Sequence, residues 1–143
     1  MSDRIDHDAP GATGFHHAVP VLRVASLAAS IDHYATVLGF TLDFEGPGRF
    51  ASVSRGECTL FLCEGDQGHP GAWTWIGVAD ADQLHAEYQR SGAVIRNPPT
   101  NYPWAYEMQV ADLDGNVLRL GSDVKEDRPT TLTPWRDMRG HVW

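Results

Sequence analysis

Few of the reactive side chains in this sequence are spaced for catalysis. Asp32-His33-Tyr34 lies within a helical pattern, but no serine stands at a recognisable strand-to-helix elbow to complete a triad. Asp112-Leu113-Asp114-Gly115-Asn116 has acidic spacing faintly like a calcium loop, yet it lacks the remaining ligands and a terminal Glu, so it reads as a hairpin turn. Cys58 and Cys63 stand five apart in one apparent strand, which sends them to opposite faces and forbids a bridge between them. Both are read as reduced thiols. What the sequence does concentrate is binding chemistry. Trp73 and Trp75, with Tyr102, Trp104 and Tyr106, put much of the aromatic content into two segments; ring faces of this kind take flat groups and cations. One aromatic in a strand, such as Phe44 or Phe50, is more often core than contact. The set weakens that reading. Asp43 alone is a solvated carboxylate, but beside an aromatic groove it would attract a cationic tail. Arg119 has two readings of equal weight, an ion pair with a carboxylate such as Glu107 or a contact to ligand.

The elements that must position these residues come in two rounds. Ala18 to Val24 reads as a strand, and Ser26 caps a helix over Leu27 to Leu38 whose stripe is Leu27, Ile31, Tyr34 and Leu38, ended by Gly39. Strand-like runs follow at Thr41 to Glu45, Phe50 to Ser54 and Glu57 to Cys63, parted by Gly46-Pro47-Gly48 and Arg55-Gly56. After a Gly/Pro-bearing connection the order begins again: Trp73 to Val78, an Asp80 cap with Gln83 three residues on, a helix ending at Gly92, and a short strand at Ala93 to Ile95. A loop is predicted over Asn97 to Trp104, then strands at Tyr106 to Ala111 and Asn116 to Gly121. Both halves share the rhythm strand, Ala, polar cap, helix, Gly, the mark of an internal duplication. The fold class is therefore α+β, two βαβββ modules over about 15–64 and 71–122. Residues 1–14 read as a loose tail and 123–143 as a C-terminal extension whose Trp135, Met138 and Trp143 are expected to dock. Alternation along the strands sets the aliphatic residues under the helices and leaves Val19, Phe61, Trp73, Trp75 and Arg119 on the opposite, open face.

Composition narrows the partners. A chain of 143 residues, 42% hydrophobic and 21% charged, is the size and make-up of one globular domain. Its net charge of −8 argues against nucleic acid and suits a cationic small molecule, although by itself such acidity more often serves only to keep a cytoplasmic protein in solution. No run of eighteen apolar residues could cross a bilayer, and the polar, acidic start lacks the apolar stretch that secretion needs, so a cytoplasmic protein is expected. An open aromatic face exposes more apolar surface than a soluble monomer usually tolerates, and a homodimer is expected for that reason.

The strings Leu22-Arg23-Val24, Ser30-Ile31-Asp32-His33-Tyr34, Val37-Leu38-Gly39-Phe40 and Asp112-Leu113-Asp114-Gly115-Asn116 resemble the glyoxalase, bleomycin-resistance and extradiol-dioxygenase superfamily, over about Ala18 to Ser122. The resemblance implies the vicinal oxygen chelate fold. In its metal-dependent members four ligands, usually His and Glu, come from four strands. The matching positions here are Val19, Phe61, Trp73 and Arg119, none able to hold a metal. No metal and no cofactor are expected. A displaced site using His16, His17 and Glu107 is the alternative, and with it a lyase, isomerase or dioxygenase activity. The chain is most similar to the bleomycin-binding resistance proteins, through Ala18-Val19-Pro20-Val21-Leu22, Leu38-Gly39-Phe40, Asp43-Phe44, Phe50-Ala51, Thr59-Leu60-Phe61, Ala72-Trp73, Pro103-Trp104 and Gly115-Asn116. That family sequesters its drug without chemistry, in a groove between subunits. By resemblance, Asp43 and Phe44 supply an acidic-aromatic pair, Phe50 a further ring, and Trp73 and Trp104 two indoles. Phe61, Cys63, Trp75, Tyr102 and Arg119 complete the expected ligand-binding set, and the implied ligand is bleomycin-like and cationic. The chain departs from the family pattern at Cys63, in a loop between Phe44 and Phe50 one residue longer, in a compressed region before Trp104, and in its C-terminal extension.

Overall fold

The computed structural model describes residue 11 and residues 13–131. Its elements are β1 (Val21–Arg23), α1 (Leu27–Thr36), β2 (Thr41–Gly46), β3 (Phe50–Arg55), β4 (Cys58–Cys63), β5 (Trp73–Gly77), α2 (Ala81–Ser91), β6 (Val94–Asn101), β7 (Tyr106–Ala111) and β8 (Val117–Ser122). Two four-stranded sheets result, ordered β1-β4-β3-β2 and β5-β8-β7-β6. In each, the first strand runs parallel to the last and the other pairs are antiparallel. One topology is thus built twice, as the repeated rhythm implied. This is the glyoxalase/bleomycin-resistance α+β fold.

Local chemistry accounts for the helices. The Ser26 hydroxyl accepts from the Ala29 N–H and the Asp80 carboxylate from the Gln83 N–H, each satisfying a donor the first turn leaves over. Gly92 closes α2 at φ 83°, a left-handed conformation that costs glycine nothing. The inner faces of both sheets and both helices merge into one core, with Leu22, Leu60 and Leu62 from one module and Met108, Val110 and Leu118 from the other. Polar clasps join the modules across it. The Tyr34 hydroxyl donates to Asp112 at 2.9 Å, the Tyr88 hydroxyl to the Leu38 carbonyl at 2.7 Å, and Arg55 makes a two-pronged ion pair with Glu87. Burial, with Asp112 beside it, pushes the Tyr34 phenol far up, and burial raises Tyr88 to about 12, so both stay neutral donors at any ordinary pH.

Three expectations need correction. The first strand is shorter than Ala18 to Val24, because its ladder with β4 runs only from Val21 to Arg23, with Pro20 and Val24 each adding one bond at its ends. Asn97 to Trp104 is not all loop: β6 continues to Asn101. Pro98 and Pro99 are tolerated there because β6 is an edge strand and its pairing with β7 is irregular between Ile95 and Thr100, so the missing N–H groups are not needed. Tyr106 does not join the aromatic face. It shares the helix side of β7 with Met108 and Val110, donates its hydroxyl to Asp82 of α2, and lies under Lys125 and Arg128.

Those two cations belong to the start of the C-terminal extension, which buried Asn101 holds in place. Its side chain accepts from the Lys125 N–H at 2.8 Å and donates to the Lys125 carbonyl at 2.8 Å, while its backbone carbonyl accepts from Thr131. The expected docking of Trp135, Met138 and Trp143 lies outside the described residues, as does nearly all of the tail at 1–14.

Candidate functional site

The side of each sheet turned away from the shared core carries the aromatics. On the first sheet, Phe50 packs edge-on against Phe44 at 5.9 Å and against Phe61 at 5.6 Å, a row of three rings across β2, β3 and β4. Strict alternation would put Asp43 and Phe44 on opposite faces. A β-bulge between Leu42 and Phe44 removes that conflict, since the extra residue lets both reach the same side. The Asp43 carboxylate accepts from Ser54 and from Ser52, and Phe61 is level with Ser52 in register. Gly46 shapes the row as well: any Cβ there would stand 2.2 Å from the Phe50 ring. Cys63, the register partner of Phe50, is on this side but 1% exposed, its sulfur accepting from the Gly65 N–H. Val19 precedes β1, half-buried, outside the ladder.

The second sheet presents indoles on a polar floor. Trp73 and Trp75 alternate outward from β5 and are 45% and 51% exposed. The Trp75 indole lies flat over the strand beside it, because Gly121 has no side chain to lift it; a Cβ at 121 would be 2.9 Å from the ring. Arg119, level with Trp75 in register, grips Glu107 with two hydrogen bonds of 3.0 Å. Glu107 is fully buried, and its Oε1 also accepts from the Trp104 indole N–H. Trp104 stacks on Tyr102 with centroids 4.9 Å apart and planes 3° from parallel, and Asn97 donates to the Tyr102 hydroxyl at 3.1 Å. The chain Arg119, Glu107, Trp104, Tyr102, Asn97 therefore fixes an indole that remains 56% exposed. Rings held this way are braced by hydrogen bonds from below and open above. Such a surface can stack a flat ligand without reorganising.

The ion pair of Arg119 with Glu107 is formed, and through Glu107 it helps to hold the Trp104 ring. Sequence reasoning missed Arg96, whose guanidinium lies 5.0 Å over the Trp73 ring, and Gln109, which accepts from Arg96 at 3.3 Å. The signal was there: Glu107 and Gln109 alternate with Met108 and Val110, two polar residues on one side of an otherwise apolar strand.

The same geometry bears on metal. Both oxygens of Glu107 are taken by Arg119 and Trp104, while His16 and His17 are exposed. Among the described residues no three His, Cys, Asp or Glu side chains come together as ligands. A cleft of about 620 Å³ does open elsewhere, between the β3–β4 turn, β5 and α2, where Cys58, Ile76 and Leu84 meet Tyr88. Its Arg55, Glu87 and Tyr88 satisfy one another or the backbone, and burial raises the Cys58 thiol, which makes it a poorer nucleophile. None of the rings on the aromatic faces lines this cleft, so the cleft and the aromatic faces are different places. The aromatic faces carry the ring chemistry. Among the described residues no helix is long and apolar enough to cross a membrane.

Comparison with known proteins fits this geometry. The chain is similar in structure to the bleomycin-binding protein from bleomycin-producing Streptomyces verticillus, solved with copper(II)-bleomycin, at 29% identity over 80% of this chain and 99% of that one, TM-score 0.65. It is also similar to TnmS3, an antibiotic-binding protein from Streptomyces sp. CB03234, at 25% identity over 78% and 98%, TM-score 0.68. TioX from Micromonospora sp. ML1 shares the fold at 20% identity over 76% and 100%, TM-score 0.67. Among curated proteins no sequence match is found. The family model described as Glyoxalase/Bleomycin resistance protein/Dioxygenase superfamily matches residues 14–120, and the chain belongs to that superfamily.

Proposed function

We propose that this protein is a metal-free binder of a flat antibiotic, working as a cytoplasmic homodimer that protects by sequestering bleomycin-type glycopeptides without chemical change. The observation that carries the reading is the braced, half-exposed Trp104, held by a fully buried Glu107 and stacked on Tyr102. Burying a carboxylate costs several kcal/mol unless it is paired, and here the paired carboxylate serves to present an indole. Support also comes from Asp43, a carboxylate set by its bulge beside Phe44, Phe50 and Phe61 and suited to a cationic tail. Cys63, under the Phe50 row, bounds the first face, while Trp73, Trp75 and Arg119 complete the second. The antibiotic-binding relatives add weight to a binding role.

Titration with bleomycin, metal-free and copper-loaded, tests it. Tryptophan fluorescence should quench and saturate at one ligand per chain. Trp104→Ala should cost about 2 kcal/mol of binding, as loss of an aromatic anchor commonly does. Asp43→Asn should weaken binding chiefly at low salt, since an exposed charge contact is screened as ionic strength rises. Calorimetry without heat at high micromolar drug, in either form, would make bleomycin sequestration untenable.

A further inference from the structure

The polar floor of the second sheet is not balanced. Gln109 stands on the open side of β7, level with Arg119 on one neighbouring strand and Asn97 on the other. It is 4% exposed, and its buried Nε2 has no hydrogen-bond partner. A guanidinium can only donate, so the contact from Arg96 fixes Oε1 as the occupied end of the amide and leaves the nitrogen over. A buried donor left unmet has given up water and gained nothing in return. Arg96 shows a matching surplus. Among the described residues the ion pairs join Arg49, Arg55, Arg119 and Arg128 to carboxylates, and none involves Arg96. Its charge rests on the Trp73 ring and a neutral amide. Nearby Glu107 adds no free negative charge, because Arg119 neutralises it.

We infer that Arg96 and Gln109 form an oxyanion subsite, which takes a carboxylate or phenolate oxygen carried on a flat ring seated against Trp73 and Trp75. The inference rests on the reading that this face binds a flat ligand, and it adds a requirement that the aromatic set alone does not impose. The ligand oxygen supplies what both donors lack, in a setting where a charge-assisted hydrogen bond is stronger than in water. The site as a whole is then dipolar: Asp43 on the first sheet favours a cation, and Arg96 on the second favours an anion.

Calorimetry on the full chain with 2-naphthoate, neutral 2-naphthamide and 2-naphthylmethylammonium tests the subsite, with bleomycin as a parallel ligand. The naphthoate should bind about tenfold tighter than the other two, the margin of one charge-assisted contact. Arg96→Gln should remove that margin. So should Gln109→Glu, whose new carboxylate pairs with Arg96 in place of the ligand, and whose thermal midpoint should hold or rise. A Gln109 that served only the fold would not separate stability from anion preference in this way. Equal binding of the three naphthyl ligands, or a preference that survives both variants, overturns the subsite and leaves the aromatic face standing. Absence of naphthyl binding while bleomycin still quenches the indoles overturns the subsite alone, and silence from every ligand overturns the face as well.

Discussion

Glu107 shows how much one residue can organise. Its carboxylate has no exposure, two hydrogen bonds from Arg119 and one from the Trp104 indole. Glu107→Gln keeps the shape but replaces the anion with a group that has one acceptor and two surplus donors. Removing one partner of a buried pair is expensive because the other charge stays behind. Arg119 is about a quarter exposed, so water recovers part of the loss. The variant should lose about 3 kcal/mol in urea unfolding, and the Trp104 emission should move toward that of a mobile indole. A loss below about 0.5 kcal/mol would mean the ring is held by packing and not by the carboxylate. Residue types revealed half of this arrangement. That Arg119 and Glu107 could pair was readable, since they fall on one side of neighbouring strands. The third member was hidden because the Tyr102-Trp104 turn is placed by the end of β6, where periodicity says little. The placement of Asp43 was hidden for a related reason: a bulge shifts parity, and no residue in Leu42-Asp43-Phe44 announces one.

Among elements, the helices, their caps and the repeat were legible, because capping residues and stripes are local and the second round repeats the first. The edge strand was not, since Pro98-Pro99 signals a loop wherever its missing N–H groups would matter, and the edge of a sheet is where they do not. The contact between β3 and α2 could not be foreseen either, because it joins two residues of different modules, 32 positions apart in sequence. There the Arg55 hydrogen bonds hold the Glu87 carboxyl below its ordinary value, against a smaller opposing effect of burial. A depressed carboxylate stabilises the fold at pH above its unfolded value, and the contribution is lost as pH falls through the folded one. Both side chains are 38% exposed, so screening keeps the contribution small. Glu87→Gln should therefore be less stable than the parent by under about 1 kcal/mol at neutral pH, and the gap should close as the solution is taken below the ordinary carboxylate range. Melts compared across pH would show it. A gap that widens in acid would assign the contact to shape instead of charge.

At the scale of the molecule, the core settles what the open faces can do. Inner residues of both modules share one cluster, and the Tyr34–Asp112, Tyr88–Leu38 and Arg55–Glu87 clasps lock the modules together there. Each aromatic face looks away from that core, so neither can cover the other within a chain. Phe44, Trp73, Trp75 and Trp104 stay 45% to 56% exposed as a consequence. Exposed aromatic surface of this kind is often a meeting place. A second copy related by a two-fold axis can bring the acid-bearing face of one chain to the indole face of its partner, making two equivalent grooves between the chains. Light scattering at micromolar concentration should therefore report twice the 15.8 kDa of one chain, and bleomycin should saturate at two per dimer. Ligand seated between the chains should also raise the dimer's resistance to dilution, by the same linkage that stabilises any state a ligand prefers. A species of 15.8 kDa that binds bleomycin without changing mass would place the whole ligand on one face and remove the shared groove.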